Sequence, residues 1–559
     1  MRRFITASDV EIVSLTGQES LQVDEDDVVT AVAREMAEKL GVRIIRRSMP
    51  SKGDVIVEEN PASPSAEALT MGASQGTTAK NPWLPREFLD QGHQRQEEPR
   101  PYQGQDRIIL RNGVVVWPGQ GTFRGDLCIG GGRIISIHDA IPSDGATEID
   151  VAGNTILPGI IDPHVHLGIF RPFAVDVKDE TRAALWGGVT TIGCYLYEKG
   201  SYLPKLDEFS RAVATHSSVD VFFRPTISSQ QHIDEIPRYI QDYGIRSFKI
   251  YMSGVPGLIP DIDDGFMTQL YEKLAETGER CMVCVHAENP SLIRWATEKI
   301  MAKDGFRTSV QEWSETHPHI AEEEAIRRAC FLAKSFPGVS TYFVHVSTKA
   351  GIDVLSGAKC DGDHIFTETT SPYLLFSIEK VEGNVPKWLP PLRTKENREA
   401  LWEKLRRGKI DCIGTDSVPM SPEIKGLDKS IWDAMPNAPL MEHHLPGVLT
   451  EGVAHRDIPM ASLLDLMTRR PAELFGLYPQ KGSLFPGADA DLVVVDMNRW
   501  QKVRKDEIKS AASFSLFEEK ILTGWPVHVI KGGRLVIRDG EWLTDPPPSQ
   551  VLSQVRKTS

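Results

Sequence analysis

The sequence predicts an α/β fold, a closed parallel (β/α)8 barrel, on three observations. Apolar β-type runs alternate with helix-like stretches, eight such runs can be counted, and five of them end in a histidine, lysine or aspartate. The runs lie near 156–166, 189–196, 219–227, 247–253, 281–287, 341–347, 364–370 and 411–417, with helical spacing over 264–278, 290–303, 320–335 and 396–408. In such a barrel the C-terminal ends of the strands form one face, which is where the polar residues would gather.

The first run, Ile156 to Leu167, closes on His164 and His166. Residues i and i+2 of a strand share a face, so both imidazoles can reach one metal ion. Lys249 sits in Ser247–Tyr251, His286 in the run from Cys281, His345 in Thr341–Ser347 and Asp416 in Asp411–Ser417. Any one of these alone reads as a hydrogen-bonded core residue; six at one end of one barrel read as a site. Four histidines and an aspartate exceed the roughly four donors of one zinc, so two divalent ions, zinc by expectation, are implied. A neutral lysine can add carbon dioxide to form a carbamate whose two oxygens bridge a metal pair. Burial beside two cations favours that N6-carboxylated form of Lys249.

The barrel is expected over 159–483. Segments 106–158 and 484–545 carry short β-type runs such as Gly113-Val-Val-Val-Trp117 and Asp491-Leu-Val-Val-Val-Asp496. Residues 51–105, rich in Pro, Ser, Gln, Glu and Gly, read as a linker with a short helix at 85–94. Residues 1–50 read as a small helical or α/β extension. Ile5 to Val10 begins like a capped helix, and the stretch from Asp24 to Gly41 has the acidic start, apolar spacing and terminal glycine of an amphipathic helix. Residues 546–559 read as a tail.

Composition bounds the function class. The 559 residues, 40% of them hydrophobic, suffice for a barrel and more, and a formal net charge of −14 argues against nucleic-acid or acidic-membrane partners. Seven dispersed cysteines suggest reduced thiols in a cytoplasmic chain; Cys281-Met-Val-Cys284 has redox spacing but lies in a barrel strand and reads as core. The start Met1-Arg-Arg leads into an acidic, mixed segment, not the apolar stretch of a signal peptide, and no run of about 18 apolar residues spans a membrane.

The ordered forms GIIDPHVHL, FKIYM, VHAEN, VHVS and IGTDS resemble the amidohydrolase superfamily. Within it they resemble the cyclic amidases: dihydropyrimidinases, hydantoinases, allantoinases and dihydroorotases. The segment 474–493 is similar to the hydantoinase and dihydropyrimidinase branch, and the resemblance covers about 107–545. It implies a barrel flanked by a small β-sandwich built from both ends of the core. It also implies one metal on His164, His166 and Asp416, a second on His286 and His345, and carboxylated Lys249 bridging them. The implied reaction is hydrolysis of a cyclic amide C–N bond, hydantoin or dihydropyrimidine opening to an N-carbamoyl amino acid. A metal-bridging hydroxide would attack while Asp416 acts as general acid and base.

Substrate positions depart from the family pattern. Hydantoinases carry a tyrosine five residues after the lysine to support the oxyanion, where this chain has Gly254; Tyr251, Tyr195 or Tyr197 are candidate substitutes. The family's Ser-Pro-Pro-Leu-Arg reads Leu389 to Arg393, Asn437 matches a ring-binding asparagine, and Ser417 stands where a histidine commonly follows the aspartate. Dihydroorotases place an arginine where Gly168 lies, with Arg171 three residues on, while Ser253-Gly254 is similar to allantoinases. Allantoin, another amide or lactone, and a non-catalytic scaffold therefore stay open as alternatives. A homodimer or homotetramer follows from the resemblance alone. Residues 1–45 are weakly similar to segments of bacterial microcompartment proteins, which implies a docking tag for a shell or its cargo, against an appended helix that packs on its own barrel.

Overall fold

The computed structural model describes residues 107–303, 308–360 and 364–554, with short pieces of the first 47 residues. The chain divides into two units, 1–65 and 66–559. In the first, β1 (Phe4–Ile5) and β3 (Val28–Val29) pair in parallel, as do β2 (Ser20–Asp24) and β4 (Arg43–Arg47). The start of the helix expected from Asp24 to Gly41 is corrected, because Asp24 ends β2 and the β-branched pair Val28–Val29 joins a ladder; helix is described at Ala37, Glu38 and Leu40, and residues 30–36 lie outside the described residues. Of the helical start read at Ile5 to Val10, Ile5 belongs to β1 and the rest lies outside the described residues. The linker 51–105, with its short helix, lies outside the described residues.

The second unit opens with β5 (Arg107–Trp117), β6 (Gly121–Gly130), β7 (Arg133–His138), β8 (Thr147–Asp150) and β9 (Thr155–Pro158). The eight expected barrel strands follow as β10 (Ile160–His166), β11 (Val189–Leu196), β12 (Asp220–Pro225), β13 (Ser247–Tyr251), β14 (Met282–His286), β15 (Ser340–Phe343), β16 (Ile365–Thr370) and β17 (Cys412–Gly414). β10 to β12 and β13 to β17 each pair in parallel with their sequence neighbours. Helices on the outside and side chains within bury both faces, hence the nearly unbroken apolar runs, β11 being buried along its whole length. The four expected helices appear at Asp264–Glu276, Pro290–Met301, His319–Ala333 and Lys395–Arg406.

Two seams close the barrel, and both pass through candidate ligands. Between β12 and β13 the Thr226–Lys249 bridge carries Ile227 N–H to the Lys249 carbonyl at 2.8 Å. Between β17 and β10, Asp416 N–H donates to the His164 carbonyl and His166 N–H to that of Ser417, each at 2.9 Å. His345 and Asp416 fall just past β15 and β17, not inside them as the apolar runs suggested. Their left-handed backbones, φ +39° and +57°, turn the chain out of the ladder.

The C-terminal strands β18 (Leu492–Lys502), β19 (Ile521–Lys531), β20 (Arg534–Arg538) and β21 (Glu541–Trp542) join the first five in a nine-stranded sheet, in the order β21-β20-β19-β18-β9-β5-β6-β7 with β8 on β5. One hydrogen-bonded sheet, not two separate ones, is what both ends build. Leu127 and Ile156 from one end and Leu492, Val494 and Ile530 from the other share its core.

Residues 546–554 are no free tail. Val551 bridges Val221 at the start of β12, and Gln554 accepts from Ser247 Oγ at 2.6 Å while its Nε2 donates to the Phe223 carbonyl at 2.7 Å. One buried amide thus ties β12 to β13 at the end opposite the site. Gln554→Ala should cost about 1–3 kcal/mol in urea unfolding with kcat unchanged, since two buried partners lose their bonds.

Candidate metal centre and active-site cleft

The six residues singled out in the sequence converge. His164 Nε2 and His166 Nε2 lie 3.1 and 3.2 Å from the same oxygen of Asp416, and His286 Nδ1 lies 2.9 Å from His345 Nε2. The His164 and His345 rings are 5.3 Å apart, and His164, His345 and Asp416 present ligand atoms within 4.8 Å of one another. All are buried, Lys249 fully, with its Nζ 4.8 Å above the Tyr195 ring and 4.7 Å from that of Tyr251.

Further residues hold these in place. Glu368, on β16, accepts from the His345 N–H at 2.9 Å and the Tyr342 hydroxyl at 2.8 Å and pairs with His164 Nδ1 at 2.6 Å, leaving Nε2 turned to the centre. Asp162 Oδ1 accepts the N–H groups of His164 and Thr415, both at 3.1 Å, and so pins the β10–β17 seam. Glu288 joins His286 Nε2 at 3.1 Å to His317 Nδ1 at 3.0 Å. The sequence reading passed over Glu368, Asp162 and His317. A carboxylate amid β-branched residues of a β-type run, Ile365-Phe-Thr-Glu368-Thr-Thr370, was the available signal for the first.

Local sequence explains the placement. In His286-Ala-Glu-Asn289-Pro290 the strand ends on its histidine, Asn289 caps the N–H groups of Ser291 and Leu292, and Pro290 opens the helix. Gly414 is needed because a Cβ there would meet His164 Cβ at 3.0 Å.

Electrostatics set the charge states of the chain by itself. Burial pulls the Lys249 ammonium down to about 7 and His166 down to about 4, and holds His345 well below its ordinary value. Burial would also depress His164 and raise Asp416, but their mutual attraction, with Glu368 acting on the histidine, overrides it in both. Among the described residues, Lys249 Nζ and His345 Nδ1 are buried without a hydrogen-bond partner, and His164 Nε2 has only the poorly aligned approach to Asp416. Buried donors and acceptors are normally paired, so three orphans converging on one point fit a site built for cations.

Above this centre lies a cleft lined by His166, Tyr251, His286, His345, Asp416 and Asn437, with apolar walls from Ile169, Phe170, Val255, Leu258, Ile259 and Met435. Asn437 Nδ2 donates to Asp416 Oδ2 at 2.6 Å, and its Oδ1 accepts the Leu389 N–H at 3.2 Å. Leu389 is thus engaged through its backbone. Tyr251 stacks on His286 at 5.2 Å. Tyr195 is fully buried beneath the histidines, 4.2 Å from the Arg224 guanidinium, and does not line the cleft. Arg171 pairs with Asp176 and Asp179 and does not line it either. Ser417 Oγ accepts the Leu440 N–H, and Cys281 and Cys284 are buried in the core, neither in a disulfide. At Gly254 a Cβ would stand 2.0 Å from the Ile259 carbonyl oxygen, so no side chain fits where the resemblance expects a tyrosine.

Residues 155–536 match the Amidohydrolase family model. The chain belongs to the amidohydrolase family. This amidohydrolase is 33% identical to a D-hydantoinase of Geobacillus stearothermophilus over 466 residues, 80% of this chain and 96% of the relative. An L-hydantoinase of Paenarthrobacter aurescens is 30% identical, covering 78% and 96%. Among solved structures, a D-hydantoinase superposes with a TM-score of 0.74 at 31% identity, over 80% of this chain and 99% of that one. A dihydropyrimidinase of Brevibacillus agri gives 0.74 at 26%, over 81% and 100%. These likenesses place the amidohydrolase in the cyclic amidase group, with its TIM barrel and β domain. The family is generally dependent on a binuclear metal centre. Among the described residues no helix is long and apolar enough to cross a membrane.

Glu368→Gln should lower metal affinity about 10–100-fold, read by chelator competition, with the far-UV spectrum unchanged, because the neutral amide no longer fixes the His164 ring.

Proposed function

We propose that this enzyme opens a cyclic amide ring, a 5-substituted hydantoin or a dihydropyrimidine, to an N-carbamoyl amino acid. The observation that carries the reading is the convergence of four histidines, Asp416 and a buried, unpartnered Lys249 beneath a mostly apolar cleft, in a chain about 30% identical to hydantoinases. In this reading His164, His166 and Asp416 hold one divalent ion, His286 and His345 a second, and Lys249 serves both as its carbamate. Burial that keeps the amine neutral is what carboxylation requires. Zinc is the expected ion. When bound, the metals supply a Lewis acid for the ring carbonyl and acidify the attacking water.

The chain's own residues do the rest. Asn437 holds the Asp416 carboxylate by its Oδ2 and by the backbone carbonyl at 3.0 Å, fixing the other oxygen toward the histidines. That carboxylate takes the proton from water and returns it to the ring nitrogen as the C–N bond breaks, so water is added across the amide and nothing else is consumed. Phe170, Val255 and Ile259 exclude bulk water from the step. Leu389 and Tyr251 line the space for the ring. Assembly as a homodimer or homotetramer belongs to this reading; the comparisons lend no support to the docking-tag idea for residues 1–50.

A panel of dihydrouracil, hydantoin, 5-phenylhydantoin, allantoin and dihydroorotate tests it on metal-loaded protein grown with bicarbonate. Turnover of a hydantoin or dihydropyrimidine with about two metals per chain is expected; two metals with turnover of allantoin alone would move the substrate, and no bound metal would restore the scaffold alternative. Lys249→Ala should lose most activity and regain part of it with added short carboxylic acids, and full activity without them would remove the bridging role. Asp416→Asn should lower kcat more than about 100-fold while metal content falls far less.

A further inference from the structure

The eight barrel strands hold one lysine and one arginine, Lys249 and Arg224. The ring-opening reading gives Lys249 a role and leaves Arg224 without one. Arg224 lies on β12 two residues before Thr226, which bridges Lys249, so it shares the face of Thr226 one step below the lysine. Both cationic side chains approach the Tyr195 ring, Arg224 Cζ at 4.2 Å and Lys249 Nζ at 4.8 Å from its centroid. Cys284, the register partner of Lys249 on β14, accepts from Arg224 Nη2 at 2.8 Å.

A guanidinium keeps its charge throughout the working pH range, and one taken out of water normally has a carboxylate against it. Arg224 is fully buried, and among the described residues no carboxylate is hydrogen-bonded to it. Nη1 donates to the Pro163 carbonyl and Nη2 to the Cys284 sulfur, while Nε has no hydrogen-bond partner. Around these contacts its surroundings are aromatic, with Phe475 at 4.2 Å and Tyr342 at 5.2 Å, which soften the charge without neutralising it. Glu368 is linked to this layer through the Tyr342 hydroxyl but is already engaged by His164 and the His345 N–H. Lys249 Nζ is likewise buried without a partner beside the same ring. A negative charge placed on Lys249 supplies what Arg224 lacks.

We propose that Arg224 is a positioning residue for the carbamate of Lys249, the fixed counter-charge that lets this chain take up carbon dioxide before it holds any metal. The inference rests on the bridging role proposed for Lys249. In the step the lysine nitrogen forms a bond to the carbon of carbon dioxide, one C=O pair becomes an oxygen lone pair, and the nitrogen gives a proton to water. The product carries one negative charge, in a centre that already contains Asp416 and Glu368. A permanent cation in the next layer of the barrel offsets that repulsion. At the effective dielectric of a protein interior, an attraction between such neighbouring charges moves the equilibrium about 10-fold or more. Carboxylation then precedes metal binding.

The experiment strips the full chain of metal with a chelator, titrates it with isotope-labelled bicarbonate and counts the carbamate carbon by NMR, with Lys249→Ala marking which signal belongs to Lys249. Metal-free wild type should carry that carbamate. Arg224→Met should need about 10-fold or more bicarbonate for the same occupancy, and Arg224→Lys, which keeps the charge, should stay near wild type. Arg224→Gln serves if Arg224→Met does not fold, and the wild-type titration needs no variant. Absence of the signal from metal-free wild type, or an Arg224→Met curve that overlays it, overturns the proposal. An Arg224→Lys curve that matches Arg224→Met assigns the effect to packing and overturns the counter-charge. Adding zinc separates this inference from the reading beneath it. A carbamate that forms only with zinc rejects the role of Arg224 and keeps the bridge, and none in either state rejects both.

Discussion

The seam between β10 and β17 is the constraint on which the centre depends. Closing the barrel there requires Asp416 N–H to reach the His164 carbonyl and His166 N–H to reach Ser417, and those hydrogen bonds bring three candidate ligands from opposite ends of the barrel sequence to one point. Asp162, fully buried, takes N–H groups from both sides of the seam with a single oxygen and the Thr415 hydroxyl with the other. Register at the seam and geometry at the site are therefore one requirement: a slip of one residue would turn the histidines to the wrong face.

Burying so much polarity is costly, and the structure offsets it with pairing around the centre but leaves the middle unpaired. Glu368 and Glu288 each join two elements through a histidine ring, whereas Lys249 Nζ and His345 Nδ1 have no partner among the described residues. His345, Asp416 and Asn437 all adopt left-handed backbones, at φ +39°, +57° and +64°. Non-glycine residues pay for that conformation, and its clustering at the reacting face is the mark of geometry held for function.

The cleft's outer wall depends on two buried lysines of unusual use. Lys425 donates to the carbonyls of Lys387, Met435 and Asn437, and Lys387 to those of Ile431 and Ala434, with no carboxylate hydrogen-bonded to either among the described residues. Burial lowers both, Lys387 to about 8. Their N–H groups act as cross-links that hold the loop bearing Asn437 against the segment bearing Leu389.

Barrel strands and candidate metal-ligating side chains were legible because parallel strands buried on both faces read as continuous apolar runs, and a His, Lys or Asp at the end of such a run stands out. Glu368 and Asp162 were harder to read, since their partners, His164, His345 and Thr415, are distant in sequence and only barrel closure joins them. The paired ends of the β sheet were anticipated as β-rich flanks, but their union in one sheet depends on β9 meeting β18 across more than 300 residues of chain. At Gly254 the sequence showed a missing tyrosine; the fold supplied the reason, a carbonyl occupying the place of any Cβ. Sequence by itself determined the fold class and the donor set, because both follow from local periodicity and residue chemistry. The seams and the docked C-terminal residues were decided only by tertiary structure, because each is made by segments whose contact no local pattern encodes.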